Sequence, residues 1–277
     1  MAPLTIRQPG SLPTISVITV VKNGKQFVRQ AMESVLNQDY ADVEYIVIDG
    51  GSIDGTLDVI KAYEPRLTKW VSERDDGIAD AFNKGVSLST GDYVLFLNSD
   101  DALANTQVLE DMARMIVESG FPALIYGDYN ILERDSGAFK YRGMVKLSPR
   151  GLVRGQVLPH PCLFAHRCYF DKYGGFDPQF RISMDYEWLL RGALKERIVH
   201  VPLLVSNIRG GGISTLDRGK VVDEIVSALK KNYFIRSGVG EYKVRGYFFL
   251  RFLARSILNV IGLYKPFFHL RNRLRNG

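Results

Sequence analysis

The 277-residue sequence lacks the features that mark disulfide-rich, membrane-spanning or exported chains. Its two cysteines, Cys162 and Cys168, are too few for a disulfide framework or a four-cysteine zinc site, so we expect reduced thiols. No run of about 18 uncharged apolar residues occurs, which argues against a membrane span. Residues 1–14 have no apolar segment typical of a secretory signal. These absences predict a cytoplasmic globular protein.

The chain also lacks the glycine-rich loops that cradle phosphates. Neither GxxxxGK[ST] nor GxGxxG occurs. If a nucleotide binds, a metal ion and side chains must therefore neutralise its phosphates. This absence points away from P-loop ATPases and from Rossmann dehydrogenases.

Positive charge is concentrated at the end of the chain. The formal net charge is +6, but residues 242–277 contain eight basic residues and no acidic one. Without them, 28 basic residues face 30 acidic ones, a net charge of −2 for residues 1–241. The basic character therefore belongs to the tail, and we expect no nucleic-acid partner.

Short apolar runs alternate with longer amphipathic runs over the first half of the chain. ISVITVV and VEYIVID are typical of buried strands, whereas KQFVRQAMESVLNQ spaces its apolar residues as a helix does. This alternation predicts βαβ units, and therefore an α/β fold with a mostly parallel sheet flanked by helices. The pattern weakens over residues 133–182. Later runs predict a helix over 183–194, a strand over 197–208 and a helix over 221–235.

Two predicted strands end in acidic residues, at the edge where parallel sheets bind ligands. VEYIVID ends at Asp49, and Asp54 follows in GGSIDGT; turn and cap chemistry is an alternative reason for both acids. DYVLFL is followed by NSDD at residues 98–101. Adjacent carboxylates repel each other, and Mg²⁺ or Mn²⁺ bound to a diphosphate offsets that repulsion. The alternative is a pair of solvated acids, one of which caps the next helix.

Four blocks carry a resemblance to a known enzyme family: ISVITVVKNG, IDGGSIDGT, SERDDGIADAFNKGV and TGDYVLFLNSDD. With LPHPCLF, GGFDPQFRISMDYEWLLR and GGGIS, they resemble family 2 glycosyltransferases of the GT-A fold up to about residue 215. The nearest branch builds bacterial exopolysaccharide, capsule or lipopolysaccharide. The resemblance implies a Rossmann-like GT-A domain over 14–217, after an N-terminal tail at 1–13. Residues 218–277 then form a helical, basic C-terminal extension.

The resemblance implies a nucleotide-sugar donor site. Thr19, Val20 and Asn23 are expected against the base and ribose, and Asp49 is expected to hydrogen-bond the base. A carboxylate facing the N3–H of uracil favours a UDP-sugar, although Gly50 stands where many relatives have a second acid. The remaining donor-site residues that the resemblance implies are Ser52, Asp76, Asn83, Lys84, Ser99 and Asp100.

The NSDD block occupies the position of the metal-binding DXD motif in the resembled family. Asp101 is expected to ligate Mn²⁺ or Mg²⁺, and Asp100 to ligate the metal or to contact ribose or metal-bound water. The family's catalytic base is an acid at the start of a late helix, which corresponds here to Asp185, with Glu187 as the reserve candidate. Alternatively, Asp185 only complements the positive end of the helix dipole, a contribution of about 0.3–1 kcal/mol.

Four further residues are assigned to the acceptor or the diphosphate: His160, Glu187, Arg209 and Ser214. For His160 the alternative is a satisfied structural histidine. Arg209 and Ser214 flank a glycine run that could close over the donor as a hinge, or form a plain surface loop.

The basic tail has an amphipathic pattern. In RGYFFLRFLARSILNVIGLY, Arg251, Arg255 and Asn259 form a polar stripe on an apolar helix. Such a segment suits an anionic membrane surface, at about 1 kcal/mol per nearby Lys or Arg. The alternative is a helix packed on the catalytic domain or on a dimer partner.

Together these features predict an inverting, metal-dependent glycosyltransferase in the cytoplasm, peripheral on the inner face of the cytoplasmic membrane. It would move a sugar from a nucleotide donor, UDP-linked by expectation, to a lipid-linked or polysaccharide acceptor in cell-surface glycan synthesis. One alternative is a sugar nucleotidyltransferase. The other is a catalytically silent, membrane-associated adaptor with the same fold.

Overall fold

The computed structural model describes residues 11–132, 137–144, 146–210, 217–236 and 238–260, the last six of these by their backbone alone. The helices are α1 Val28–Leu36, α2 Thr56–Tyr63, α3 Ile78–Leu88, α4 Val108–Glu118, α5 Pro149–Val153, α6 Arg167–Tyr173, α7 Met184–Gly192, α8 Arg218–Lys231 and α9 Gly238–Val260. The strands are β1 Ile15–Val21, β2 Val43–Asp49, β3 Lys69–Ser72, β4 Tyr93–Phe96, β5 Ala102–Leu103, β6 Leu124–Leu132, β7 Phe139–Arg142, β8 Leu163–His166 and β9 Ile198–Ile208. Short 3₁₀ helices lie at Glu64–Arg66 and His160–Cys162.

The strands of the described residues form one sheet in the order β3-β2-β1-β4-β8-β6-β9-β5, with β7 paired to β6. The first four strands are parallel, which confirms the predicted βαβ units. Strand β8 then enters antiparallel between β4 and β6, while β9 runs parallel to β6. The second half of the sheet is therefore mixed, because the weakly patterned segment 133–182 supplies a strand that reverses direction.

Helices cover both faces of the sheet. On β1, Ile18 and Val20 face a cluster that includes side chains of α3, α7 and α8. Ile15, Val17 and Val21 face the opposite cluster, with side chains of α1, α2 and α4. This period-two alternation buries the strand on both sides, as a parallel sheet requires. The carboxyl ends of β1, β2 and β4 consequently lie at one edge of the sheet.

The two C-terminal helices share the core of the α/β unit. Val222, Ile225 and Leu229 of α8 and Phe248 of α9 are buried in the same cluster as α3 and α7. Helix α8 ends at Lys231, short of the predicted 235, because Tyr233 adopts a left-handed backbone with φ of 62°. Within the described part of the chain, no helix is both long and apolar enough to cross a membrane.

Candidate active site

The loops after β1 and β2 are joined by hydrogen bonds at the carboxyl edge of the sheet. The backbone N–H of Asn23 donates to Ser52 Oγ at 2.7 Å, and Asn23 Oδ1 accepts from the N–H of Ile53 at 3.0 Å. The N–H of Gly24 donates to Thr56 Oγ1 at 2.9 Å. These bonds bring Asn23 and Ser52 together, as the expected donor site requires.

Asp49 lies at the end of β2 but is fully buried. Its carboxylate accepts hydrogen bonds from the hydroxyl and N–H of Ser52 and, at 2.6 Å, from Ser72 Oγ. Because Asp49 has no exposed surface, it does not face a base in this conformation. In this conformation the Asp49 carboxylate binds Ser52 and Ser72, and its expected hydrogen bond to a base stays a prediction.

Thr19 and Val20 lie inside β1 rather than after it. Their backbones pair with Val47 and Ile48 of β2. Thr19 is buried with its hydroxyl accepting from Tyr45 Oη at 3.1 Å, and Val20 is in the helical core cluster on the other face. Helices cover both faces of the strand at these positions, and the expected contacts of Thr19 and Val20 with the base and ribose stay a prediction.

Asp75 fills the space beside Gly50. A Cβ atom at position 50 would lie only 1.9 Å from Asp75 Oδ2, and Lys22 Nζ is 3.7 Å from the same carboxylate. The carboxylate of Asp75, which belongs to a different loop, therefore occupies the space beside position 50, where many relatives carry an acid. Sequence inspection missed Asp75, and the glycine at position 50 was the available signal.

The third block supports the site mainly through structural contacts. Both polar atoms of the Asn83 side chain bond to the backbone of Phe176, at 2.7 and 2.8 Å, and its expected contact with the donor stays a prediction. Lys84 forms ion pairs with Glu73 at 2.8 Å and Asp80 at 3.1 Å, and these carboxylates raise the pKa of its ammonium group. Lys84 therefore already has two partners. Asp76 is exposed in the loop before α3.

The two acids after β4 differ in burial. Asp101 is 2% exposed, with Oδ2 accepting from Asn98 Nδ2 at 2.9 Å and Oδ1 from the N–H of Arg209 at 2.8 Å. Burial and the neighbouring charge of Asp100 raise the pKa of Asp101 to about 7. Asp100 is partly exposed, and burial raises its pKa as well. Ser99 lies beside Gly24, so this block adjoins the loop after β1.

These two carboxylates fit a divalent cation. A buried acid whose charged form is disfavoured by a second acid gains from a nearby cation, and hard cations prefer carboxylate oxygens. Groups of three His, Cys, Asp or Glu side chains suited to a metal ion are absent from the described residues. The protein would therefore supply Asp100 and Asp101, and a bound diphosphate and water would complete the coordination.

Asp185 and His160 face each other across a small cavity at the end of β4. His160 Nε2 is 3.9 Å from Asp185 Oδ2, and the two side chains are 19% and 22% exposed. Phe96, the last residue of β4, lines the same cavity and lies two residues before Asn98. Burial raises the pKa of Asp185, while the charge of His160 acts in the opposite direction. The arrangement presents a carboxylate with raised proton affinity in a cavity that the last residue of β4 also lines.

Glu187 faces the opposite side of α7 from Asp185, and its expected role as a reserve base or acceptor residue stays a prediction. It is 0% exposed and forms ion pairs with Arg191 and, at 3.0 Å, with Lys231. Burial alone would raise the pKa of Glu187, but Arg191, Lys231 and Asn232 together outweigh it and lower the pKa. Glu187 is therefore a structural ion-pair residue.

The end of β9 packs against the acid pair through Arg209. Its guanidinium donates to Gln30 Oε1 at 2.8 Å and lies 4.8 Å from the centre of the Phe27 ring. Ser214 lies outside the described residues. Glu224 of α8 is a further residue that sequence inspection missed, because it contacts the segment before α7 from 41 or more positions away.

The sequence profile described as "Glycosyl transferase family 2" matches residues 16–169, more than half of the chain. The chain belongs to glycosyltransferase family 2. An uncharacterized glycosyltransferase of Mycobacterium tuberculosis is 35% identical over 186 residues, which cover 66% of this chain and 70% of that relative. The PGL/p-HBAD biosynthesis glycosyltransferase of Mycobacterium bovis is 31% identical over 211 residues, covering 74% of this chain and 80% of the relative.

The fold of this family 2 glycosyltransferase is similar to two solved structures. S. aureus TarS 1–349 in complex with UDP-GlcNAc has a TM-score of 0.62 and 18% identity, covering 78% of this chain and 66% of that chain. The mannosyltransferase PcManGT from Pyrobaculum calidifontis in complex with GDP-Man and Mn²⁺ has a TM-score of 0.59 and 17% identity, covering 86% and 70%. The expected GT-A fold is thereby confirmed.

Proposed function

We propose that this family 2 glycosyltransferase carries out inverting, metal-dependent transfer from a UDP-sugar to a lipid-linked or polysaccharide acceptor in cell-surface glycan synthesis. The observation that carries the proposal is that the acid pair Asp100–Asp101 follows β4, whose last residue lines the cavity of the base candidate Asp185. Phe96 links the two groups, because it ends the strand before the acid pair and lines the cavity of Asp185.

The donor end of the site is assigned to the loops after β1, β2 and β4. Asn23 and Ser52 contact the nucleoside, and Asp49 and Ser72 hold Ser52 in place. Asp100 and Asp101 hold the metal ion, with Ser99 beside them. A bound Mn²⁺ or Mg²⁺ supplies charge stabilisation for the leaving diphosphate.

Asp185 is assigned as the general base. Its carboxylate accepts the proton of the acceptor hydroxyl as that oxygen attacks the anomeric carbon. The bond from the anomeric carbon to the diphosphate oxygen breaks in the same displacement, so the configuration inverts. His160, 3.9 Å from Asp185, orients the carboxylate and faces the acceptor side of the cavity.

Helix α9 is assigned to an anionic membrane surface. One of its faces buries Val244 and Phe248 in the core, and the other exposes Phe249 and Leu253 at 65% and 45%. Exposed apolar side chains next to Arg251 suit an anionic interface. A peripheral position on the inner face of the cytoplasmic membrane brings the enzyme to a lipid-linked acceptor.

Titration calorimetry with UDP and GDP, each with and without Mn²⁺, tests the donor assignment. We expect Mn²⁺-dependent binding that is selective for UDP. GDP selectivity would keep the enzyme class and overturn the donor. Binding of neither nucleotide by folded protein would favour the silent adaptor, and pyrophosphate release from a sugar phosphate and a nucleoside triphosphate would indicate a nucleotidyltransferase.

A further inference from the structure

The start of α7 is held by a carboxylate from another helix. Glu224 of α8 accepts three backbone hydrogen bonds: Oε1 from the N–H of Arg181 at 2.9 Å, and Oε2 from the N–H groups of Ile182 and Ser183 at 2.9 and 2.7 Å. All three donors lie immediately before the first residue of α7. The N–H groups of residues 181–183 precede the hydrogen-bond ladder of α7, so they need acceptors from elsewhere.

Local sequence does not supply that partner. The residue before α7, Ser183, makes no side-chain capping hydrogen bond. Glu224 instead accepts from the N–H groups of residues 181–183, and its own helix is anchored by Val222, Ile225 and Val226 in the core. The Glu224 carboxylate is therefore held in place by its helix and is not a mobile surface group.

Ser183, the last of the three residues that Glu224 binds, lies two positions before Asp185. The remaining contacts of Asp185 are its bond from the Tyr186 N–H at 2.7 Å and the approach of His160. Residues 181–183 also contact the loop before α3 on the donor side, because Arg181 Nη1 donates to the backbone oxygen of Asp76 at 3.1 Å. The position of Asp185 relative to the donor loops thus depends on residues 181–183.

We propose that Glu224 is a positioning residue for the base: by binding three N–H groups of residues 181–183, it fixes the start of α7 so that Asp185 faces the cavity. This inference rests on the proposed function only for the role of Asp185. The charged groups that act on Asp185 are His160 from the 3₁₀ helix and Glu224 from α8. After burial, which is the largest cause, the charge of Glu224 raises the pKa of Asp185, and His160 lowers it.

The variants Glu224→Gln and Glu224→Ala test the inference, with Asp223→Asn as the matched control. Asp223 lies on the same helix, but it is exposed and pairs with Arg245 instead. We expect kcat to fall about 10–100-fold in Glu224→Ala, with an unchanged KM for the donor, because a misplaced base slows chemistry and not donor binding. The loss is smaller in Glu224→Gln, which keeps one acceptor oxygen. Asp223→Asn behaves as wild type.

Two readouts separate positioning from a merely structural role. Both Glu224 variants remove a negative charge near Asp185, so the acid limb of the kcat–pH profile moves to lower pH. Hydrogen exchange of the amides of residues 181–183 becomes faster in both, while that of α4 does not change. Unchanged exchange at 181–183, or a kcat of Glu224→Ala that does not fall, overturns the inference.

Asp185→Asn separates a failure of the proposed base from a failure of the proposed role of Glu224. If Asp185→Asn is inactive while Glu224→Ala has wild-type kcat, only the role of Glu224 fails. If Asp185→Asn transfers sugar at the wild-type rate, the proposed base fails and the role of Glu224 fails with it.

Discussion

The Oδ1 atom of Asp101 accepts a hydrogen bond of 2.8 Å from the backbone N–H of Arg209, which lies 108 residues further along the chain. The guanidinium of Arg209 is anchored on α1 through Gln30 and lies over Phe27. The end of β9 therefore covers one side of Asp101. The positive charge of Arg209 offsets part of the repulsion between Asp101 and Asp100.

Removing the charge of Asp101 abolishes the metal dependence of nucleotide binding. Asp101→Asn keeps the size of the side chain but removes one of the two carboxylates that fit the cation. We expect the gain in UDP affinity on adding Mn²⁺, measured by calorimetry, to fall at least about tenfold, or about 1.4 kcal/mol. Asp58→Asn, at an exposed position on α2, is the control. An undiminished Mn²⁺ effect in Asp101→Asn would exclude Asp101 as a ligand.

The pH dependence of transfer reports the base. Asp185 accepts a proton only when it is ionised, so kcat rises as the pH rises through its pKa. Because burial raises that pKa, the acid limb lies above the ordinary aspartate value of about 3.9. His160→Gln removes the positive charge that lowers the pKa of Asp185, so the limb moves to higher pH. The limb stays in place in the control His200→Gln, whose side chain pairs with Asp128. An acid limb that stays at the wild-type pH in His160→Gln would contradict the pairing of His160 with Asp185.

Glu187→Ala destabilises the fold without removing a reacting group. The substitution leaves Arg191 and Lys231 without their buried partner, a loss of about 3–5 kcal/mol in the free energy of unfolding. Because the folded pKa of Glu187 lies below its usual value, its stabilising effect is present above about pH 4.5 and is lost as the pH falls through the folded pKa. Urea unfolding at several pH values measures both effects.

The control for Glu187 is Glu110→Gln, which breaks an exposed ion pair with Arg114 on α4 at a cost of about 0.5 kcal/mol. Transfer per folded molecule stays near the wild-type rate in Glu187→Ala. A fully stable but inactive Glu187→Ala would instead return Glu187 to the role of base.

We expect the exposed face of α9 to mediate the proposed membrane binding. The double variant Phe249→Ser/Leu253→Ser removes apolar surface that makes no core contact, so we expect an unchanged melting temperature and lost flotation with anionic vesicles at low salt. Leu194→Ser, at another exposed apolar position, retains binding. If the wild-type protein itself fails to bind such vesicles, the membrane assignment is wrong.

Much of the edge of the sheet was readable from short sequence runs. The parallel order of β1, β2, β3 and β4 follows from local alternation, and the positions of Asp49 and Asp101 follow from where apolar runs end. Strand β8 was missed, because its four residues LFAH lie in a weakly patterned segment and pair with β4 and β6 from far away. The sequence pattern also did not predict that the side chains of Asp49 and Thr19 are buried.

The sequence by itself determined the order of strands and helices, the family and the edge of the sheet at which acids gather, because periodicity and turn chemistry act over a few neighbouring residues. Only the tertiary structure decided which acids are free to act. Asp75 fills the space beside Gly50, Glu187 is neutralised by Lys231, and Asp185 lies beside His160. Those outcomes depend on contacts between residues 25 or more positions apart, for which no local pattern exists.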